Sequence, residues 1–217
     1  SDFVLDTSEG DFYAKNVIVA TGYYDNPRLI NVEGEDLGKV KHFYDDAHPY
    51  IGKKILVVGA ANSACDVALE TWQKGADVTM VIRQSELYPK VKYWILPNIQ
   101  NRIKEGSIKA YFNSEIKKIL EKEVWIKTAD GIIKIENDYV LAMTGYKPNY
   151  DFLKSLGINI AENLAQKPEI DNATLETNIA NLYIAGVIVA GLNTSELFIE
   201  NTRHHGQTIV NHILSKA

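Results

Sequence analysis

Residues 54–83 read KILVVGAANSACDVALETWQKGADVTMVIR, and no other stretch narrows the fold so far. The unbroken apolar run at 55–58 is the pattern of a strand buried on both faces. It ends at Gly59. Ala64, Val67, Ala68 and Leu69 then mark one side of a helix that stops at Gly75, a C-cap position where glycine accepts the left-handed conformation. Apolar residues resume at 77–83, the second strand. A strand, a tight turn, a helix and another strand predict a βαβ unit, hence a parallel sheet covered on both faces.

The turn itself, Gly59-Ala60-Ala61-Asn62-Ser63-Ala64, departs from the G-x-G-x-x-G/A pattern at one position. Gly59 permits the sharp turn, and Ala64 is small enough for close helix–strand packing. Ala61 places a methyl where the backbone comes nearest a pyrophosphate. Anion binding at such a turn rests on unpaired N–H groups and the positive end of the helix, and alanine removes neither. A slightly displaced, water-assisted contact is expected. A bare strand–turn–helix without ligand is the alternative.

An NAD site needs an acid about 20 residues on, to accept hydrogen bonds from the ribose 2′-hydroxyl. Here the second strand ends in VIRQSE, with Arg83 24 residues after Gly59 and no acid beside it. A guanidinium suits a 2′-phosphate, since it donates in bidentate fashion, and this favours NADPH over NADH. A surface arginine at a strand end is the plainer reading. Lys90 and Lys92 add positive charge nearby or simply face solvent.

Around this unit, strands are expected at 3–7 and 16–20, joined through the Ser-Glu-Gly-Asp turn. Residues 23–52 are rich in Gly, Pro, Asp and His and read as an irregular crossing between domains. A helix is expected at 94–104 and short strands at 108–112, 115–120, 124–128 and 132–136. A buried strand within 138–149 ends at Thr-Gly, and a short helix lies near 151–156. A last strand and turn fall in 181–191 and a terminal helix in 195–214. VIVATGYYDNP and VLAMTGYKPN share an apolar strand, Thr-Gly, an aromatic and a downstream proline, which suggests one domain inserted into another.

Composition removes several function classes. A net charge of −5 leaves no basic footprint for nucleic acid. One cysteine, Cys65, excludes an internal disulfide, a Cys-x-x-Cys pair and a zinc cluster, and suits a reducing cytoplasm. Cys65 lies near a helix start, where a thiol pKa can fall, but burial as a small hydrophobe is the preferred reading. Asp66 is read as complementing the helix dipole. His42, His48, His204, His205 and His212 form no metal pattern, and a helix at 204–205 would point its two rings apart. There is no Gly-x-Ser-x-Gly elbow or carboxylate pair. The longest uncharged stretch, 177–195, is interrupted by Asn178, Asn181, Gly186, Gly191 and Asn193 and reads as strand plus turn rather than a membrane span. No secretory signal is visible at the start, so a cytoplasmic protein without membrane or nucleic-acid partner is expected.

With these residues in view, the chain resembles the bacillithiol disulfide reductase group of the thioredoxin reductase-like flavoproteins. The resemblance is carried by ATGYYDNP (20–27), HPY (48–50), NSACDVALE (62–70), YWILP (93–97), MTGY (143–146) and AGVIVAGLNTSELFIENTRHHG (185–206). It implies an α/β fold: a Rossmann-like NADPH-binding domain, with a parallel sheet and a small antiparallel meander, inserted into part of an FAD-binding domain. The implied division is 1–45 and 145–217 for the FAD domain and 46–144 for the NADPH domain. NADPH would contact Gly59, Ala60, Ala61, Asn62, Ser63, Ala64 and Arg83. The resemblance also assigns Thr21, Gly22, Thr144 and Gly145 to cofactor binding at the crossings, and Gly186 and Val187 to FAD. Val187 stands where the wider superfamily has an acid that anchors the flavin ribityl chain, which puts that anchor in doubt, although the resemblance implies that the bacillithiol-type group shares the departure. An N-terminal FAD-binding glycine turn, with the redox cysteine beside it, is expected to lie in roughly a hundred further residues, judging from domain sizes.

The implied activity is hydride transfer from NADPH to FAD and then reduction of a low-molecular-weight disulfide. No residue of this stretch is assigned a catalytic or metal-binding role, and the stretch alone is expected to be inactive. A flavin-dependent N-hydroxylating monooxygenase, which shares the ATG and NSACD motifs, and a non-catalytic NADPH-sensing module stay open. A homo-oligomer is compatible with the sequence.

Overall fold

The computed structural model describes residues 3–194 and 196–216. The chain forms two compact units, 28–145 in the middle and 1–27 with 146–217 around it in sequence. The outer unit starts with β1 (Phe3–Thr7), β2 (Gly10–Ala14) and β3 (Val17–Val19). The central unit holds β4 (Val40–Lys41), β5 (Lys54–Val58), α1 (Asn62–Gln73), β6 (Asp77–Val81), α2 (Leu96–Lys104) and β7 (Lys109–Tyr111). It continues with β8 (Glu115–Ile119), β9 (Glu123–Thr128), β10 (Gly131–Glu136) and β11 (Tyr139–Ala142). The outer unit resumes with α3 (Tyr150–Ser155), β12 (Leu182–Ile184), α4 (Ile199–Thr202) and α5 (His205–Ser215).

In the central unit five strands, ordered β4-β11-β5-β6-β7, pair in parallel throughout. The apolar run at 55–58 works as its pattern requires. Ile55 and Val57 face α1 and α2, packing with Ala64, Cys65, Val67, Ala68 and Ile99. Leu56 and Val58 face the other way, into a core with Ile116, Ile119, Val124 and Ile126. That second face is covered by the antiparallel meander β8-β9-β10. The strand expected first in that series, at 108–112, joins the parallel sheet instead, as β7 beside β6.

The central unit begins at residue 28, not 46. Three contacts hold 28–45 there. The Ile119 N–H donates to Glu33 O at 2.9 Å, and Gly34 lies so close to the Ile119 carbonyl that no side chain fits. The buried Lys39 ammonium donates to Asn137 Oδ1 at 2.6 Å and to Glu121 O at 3.2 Å. Within this segment, expected to be irregular, Val40–Lys41 pairs with Val140–Leu141. Two residues are too few to show a period.

The outer unit departs from expectation in two places. The turn after β1 leads into β2, an antiparallel partner absent from the sequence reading, before β3. Phe12 and Tyr13 on β2 are both exposed, so GDFYA carries no buried alternation to reveal a strand. The expected helix at 195–214 is two helices, α4 and α5, parted at Arg203-His204; residue 195 lies outside the described residues. The break falls beside Gly206, a residue type that weakens helix starts and interiors alike. β12 pairs in parallel with β3, over a core of Val19, Leu153, Ile158, Leu182, Ile184 and Ile188.

Leu141 is fully buried on β11, whereas Ile132 on β10 is 59% exposed. Leu141→Ala is expected to cost about 2–5 kcal/mol in urea unfolding, and Ile132→Ala no more than about 0.5 kcal/mol.

Candidate functional site

The sheet order places the site. From β5 the chain moves outward through α1 to β6 and β7, while β11 and β4 lie on the other side of β5. The carboxyl ends of β5 and β11 therefore flank a topological switch point, where open α/β sheets bind ligands. Gly59 sits there with φ +138. A Cβ on it would meet Met143 O at 2.5 Å and the Ala64 Cβ at 3.0 Å. Glycine is thus required twice over, by conformation and by space. Its own N–H donates to Val81 O at 3.1 Å, which ties the turn to the end of β6.

Ala61 is the N-cap of α1, in extended conformation, and no side chain caps the helix. Among the described residues, the N–H groups of Ala60, Ala61, Asn62, Ser63 and Ala64 donate to no protein acceptor; the first bond is from Cys65 N–H to Ala61 O, 3.0 Å. A helix start left in this state is a row of donors carrying a partial positive charge. Ala61, the departure from the glycine pattern, is exposed, so its methyl does not block the row by packing into it. Ala64 is fully buried against Gly59.

Asn62 does more than the sequence reading gave it. Its Oδ1 accepts from Lys92 N–H at 2.9 Å, and the Tyr88 N–H donates to Ala60 O at 2.9 Å. The segment after β6 is thereby fastened alongside the turn. A partner 30 residues away leaves no local sequence signal.

Arg83 follows Ile82, a fully buried residue whose N–H donates to Tyr111 O at 2.9 Å and whose O accepts from Ser114 N–H at 3.0 Å. Gln84 O accepts from Asn113 N–H at 2.9 Å. Arg83 is therefore held past the carboxyl edge of the sheet, two residues beyond the carbonyl that binds Gly59, and its side chain is exposed. Its charge helps to lower the Glu115 pKa, after the larger effects of the Lys117 hydrogen bond and charge. Lys92 is exposed, with its ammonium 5.5 Å from the centre of the Trp94 ring. Lys90 is exposed.

Cys65 is fully buried, its Sγ 3.8 Å from Ala60 O, and burial pushes its thiol pKa up to about 12. The helix start does not activate it. Asp66 lies in the second turn of α1, and burial of its carboxyl raises its pKa. It stands beyond the first turn, which holds no acid and within which the helix dipole acts most strongly.

Of the other assigned residues, Thr144 and Gly145 follow Met143 in the central unit and the rest belong to the outer unit. Thr144 and Gly145 meet Arg28: the Thr144 hydroxyl donates to Arg28 O, and the Arg28 N–H donates to Gly145 O at 2.9 Å. These bonds brace the paired entry and exit of the central unit. In the outer unit Gly22 has φ +69, Thr21 is exposed, and the adjacent Tyr23 hydroxyl donates to Thr194 O at 3.0 Å. Gly186 has φ +80, and its N–H donates to His205 Nδ1 at 3.1 Å. Val187 is half-buried, in a single 3-10 turn that follows β12. Since Nδ1 accepts, the His205 proton sits on Nε2. Burial first, and the neighbouring His204 second, lower the His205 pKa and favour that neutral form. The His204 and His205 rings do not diverge as a regular helix would make them. His204 is the N-cap, and the rings meet edge to face with centroids 4.9 Å apart. Among the described residues no group of three His, Cys, Asp or Glu side chains is arranged for a metal, and no helix is long and apolar enough to cross a membrane.

Residues 1–186 match the model of the pyridine nucleotide-disulphide oxidoreductase family. The chain belongs to this family. It is 42% identical over 215 residues to a protein named bacilliredoxin reductase Bdr from Bacillus subtilis, covering 99% of this chain and 66% of the relative. It thus spans just under two thirds of that relative's length. A solved bacillithiol disulfide reductase Bdr from Staphylococcus aureus superposes with a TM-score of 0.94 at 41% identity, over 99% of this chain and 67% of that one. A thioredoxin reductase from T. acidophilum, 20% identical over 97% of this chain and 70% of its own, shares the fold with a TM-score of 0.76. The central unit fits a pyridine dinucleotide, having a tight strand-to-helix turn that admits no Cβ at 59 and a row of unpaired amides beside it. The outer unit fits a flavin less well: Val187 brings no carboxylate, and the Gly186 N–H is already bonded to His205.

The raised Cys65 pKa sets a pH dependence. Below pH 9.0, the ordinary thiol value, both folded and unfolded states keep the proton and stability is unaffected. From there to about 12 the unfolded state ionises while the native state does not, so stability falls as pH rises. At pH 8 the native thiol is expected to resist iodoacetamide and to react fully in guanidinium, as read by mass spectrometry. Rapid native labelling would contradict its burial.

Proposed function

We propose that residues 59–64 of this chain hold the diphosphate of NADPH and that Arg83 selects its 2′-phosphate. The observation that carries the reading is the row of unpaired amides at 60–64, set at the switch point beside a glycine that tolerates no Cβ. Arg83 supports the choice of NADPH, since it stands exposed past the end of β6, where a dinucleotide-binding fold meets the adenosine ribose. A guanidinium there attracts a phosphate and offers nothing to a 2′-hydroxyl that an acid would not serve better.

For the whole protein the reading is an NADPH-dependent FAD disulfide reductase acting on a low-molecular-weight disulfide such as bacillithiol disulfide. Relatives bearing bacilliredoxin reductase and bacillithiol disulfide reductase names at about 40% identity support it. With both cofactors bound, NADPH would supply a hydride and FAD would relay the electron pair, so that one disulfide and one proton yield two thiols and NADP+. This chain's residues would bind and orient the nucleotide. The 217-residue stretch alone is proposed to be inactive and free of tightly held flavin; purified protein with visible flavin absorbance would contradict that. A reducing cytoplasm is the proposed compartment, consistent with a single, buried cysteine.

Arg83→Ala removes one charge-assisted contact, worth about 1.5–3 kcal/mol. Its Kd for NADPH is expected to rise roughly tenfold to a hundredfold in calorimetry, with the Kd for NADH unchanged. Equal affinities of the wild-type protein for NADPH and NADH would overturn the assignment.

A further inference from the structure

The segment that joins β6 to α2 is fastened unevenly. Leu87 and Val91 are buried in the core, and the Tyr88 N–H reaches Ala60 O, so its inner edge is set by packing and by main chain. Its outer edge carries Lys90 and Lys92, both exposed. There the bond to the turn is from Lys92 N–H to Asn62 Oδ1, 2.9 Å, through a half-buried side chain at the first position of α1. The Lys92 ammonium lies over Trp94, near enough to α1 for its charge to act on the Asp66 carboxyl. Arg83 stands at the other end of the same segment.

We infer that Asn62 is a positioning residue for nucleotide specificity: by holding the Lys92 amide beside the turn it keeps the Lys92 ammonium, now over Trp94, within reach as a second cation for the ribose 2′-phosphate. This rests on the NADPH reading above and deepens it. The Asn62 Oδ1 is committed to Lys92, and the proposed donors to the diphosphate are the main-chain amides of 60–64, which a substitution of the side chain at 62 keeps. Losing the side chain therefore loosens one edge of the ribose-phosphate site and leaves the diphosphate row intact. Discrimination falls, and general affinity does not.

The test is calorimetry of NADPH and NADH with wild type, Asn62→Ala, Asn62→Ser and Asn62→Asp, together with hydrogen exchange at the Lys92 amide. Alanine and serine, one lacking an acceptor and the other too short to reach, are expected to weaken NADPH by roughly threefold to tenfold, the effect of one neutral hydrogen bond. NADH binding stays unchanged, and the Lys92 amide exchanges faster. Aspartate keeps the acceptor, so the Lys92 amide stays protected. Its added charge at the ribose-phosphate edge weakens NADPH more than NADH, so loss of discrimination with a protected Lys92 amide marks charge, and loss with a fast-exchanging amide marks the broken hydrogen bond. An unchanged NADPH-to-NADH ratio in the alanine and serine variants, or a Lys92 amide that exchanges as fast in wild type as in them, overturns the role of Asn62 alone. Wild-type protein that binds neither nucleotide overturns the NADPH reading and this inference with it.

Discussion

At the carboxyl edge of the central sheet, the main chain at Gly59 passes so close to the Met143 carbonyl that a single methyl group would collide with it at 2.5 Å. The close approach lets β5 turn into α1 within three residues, beside the end of β11, its parallel neighbour. Ala64 belongs to the same constraint, since its Cβ fills the space next to the missing one. The amides are unpaired because the N-cap is Ala61, exposed and extended, whose methyl accepts no hydrogen bond, so the first donors of the helix have no side-chain cap. Polar groups of that kind are stabilised by water or by an anion.

The wider electrostatics agree with a local attraction in a chain of net charge −5. The helix start has no acid in its first turn. Arg83, Lys90 and Lys92 gather on the segment next to it, and Asn62 fastens that segment by an uncharged bond. The Glu115 carboxylate, on which the Arg83 charge also acts, is held mainly by the Lys117 ammonium at 2.6 Å. A dinucleotide would therefore meet cations and amides there in spite of the overall negative charge, over distances shorter than or comparable to the screening length of physiological salt.

The central unit was legible because its signals are strong and local. ILVV at 55–58 is apolar at every position, and only a strand buried on both faces accounts for that. Gly59, Ala64 and Gly75 fall where the turn and the helix end require them. What stayed hidden depends on distant partners. β4 is two residues long and exists because β11 accepts it. β2 exposes both of its aromatics, so its pairing with β1 leaves no mark in the pattern. The start of the central unit at 28 is decided by Lys39 reaching Asn137 and by Gly34 lying against Ile119, contacts across about a hundred residues. The Thr144 hydroxyl and the Gly145 carbonyl are engaged with Arg28, a bracing that the motif itself does not show. His205 bonds Gly186 across a helix break that periodicity did not show.

The most direct measurement is a titration of the isotope-labelled chain with NADP+, followed through its backbone amide resonances. Direct donation to a diphosphate predicts that the largest shifts fall on Ala60, Ala61, Asn62, Ser63 and Ala64, with Cys65, already bonded to Ala61, moving less. Shifts concentrated in the outer unit, or no saturable shift at 60–64, would contradict the account.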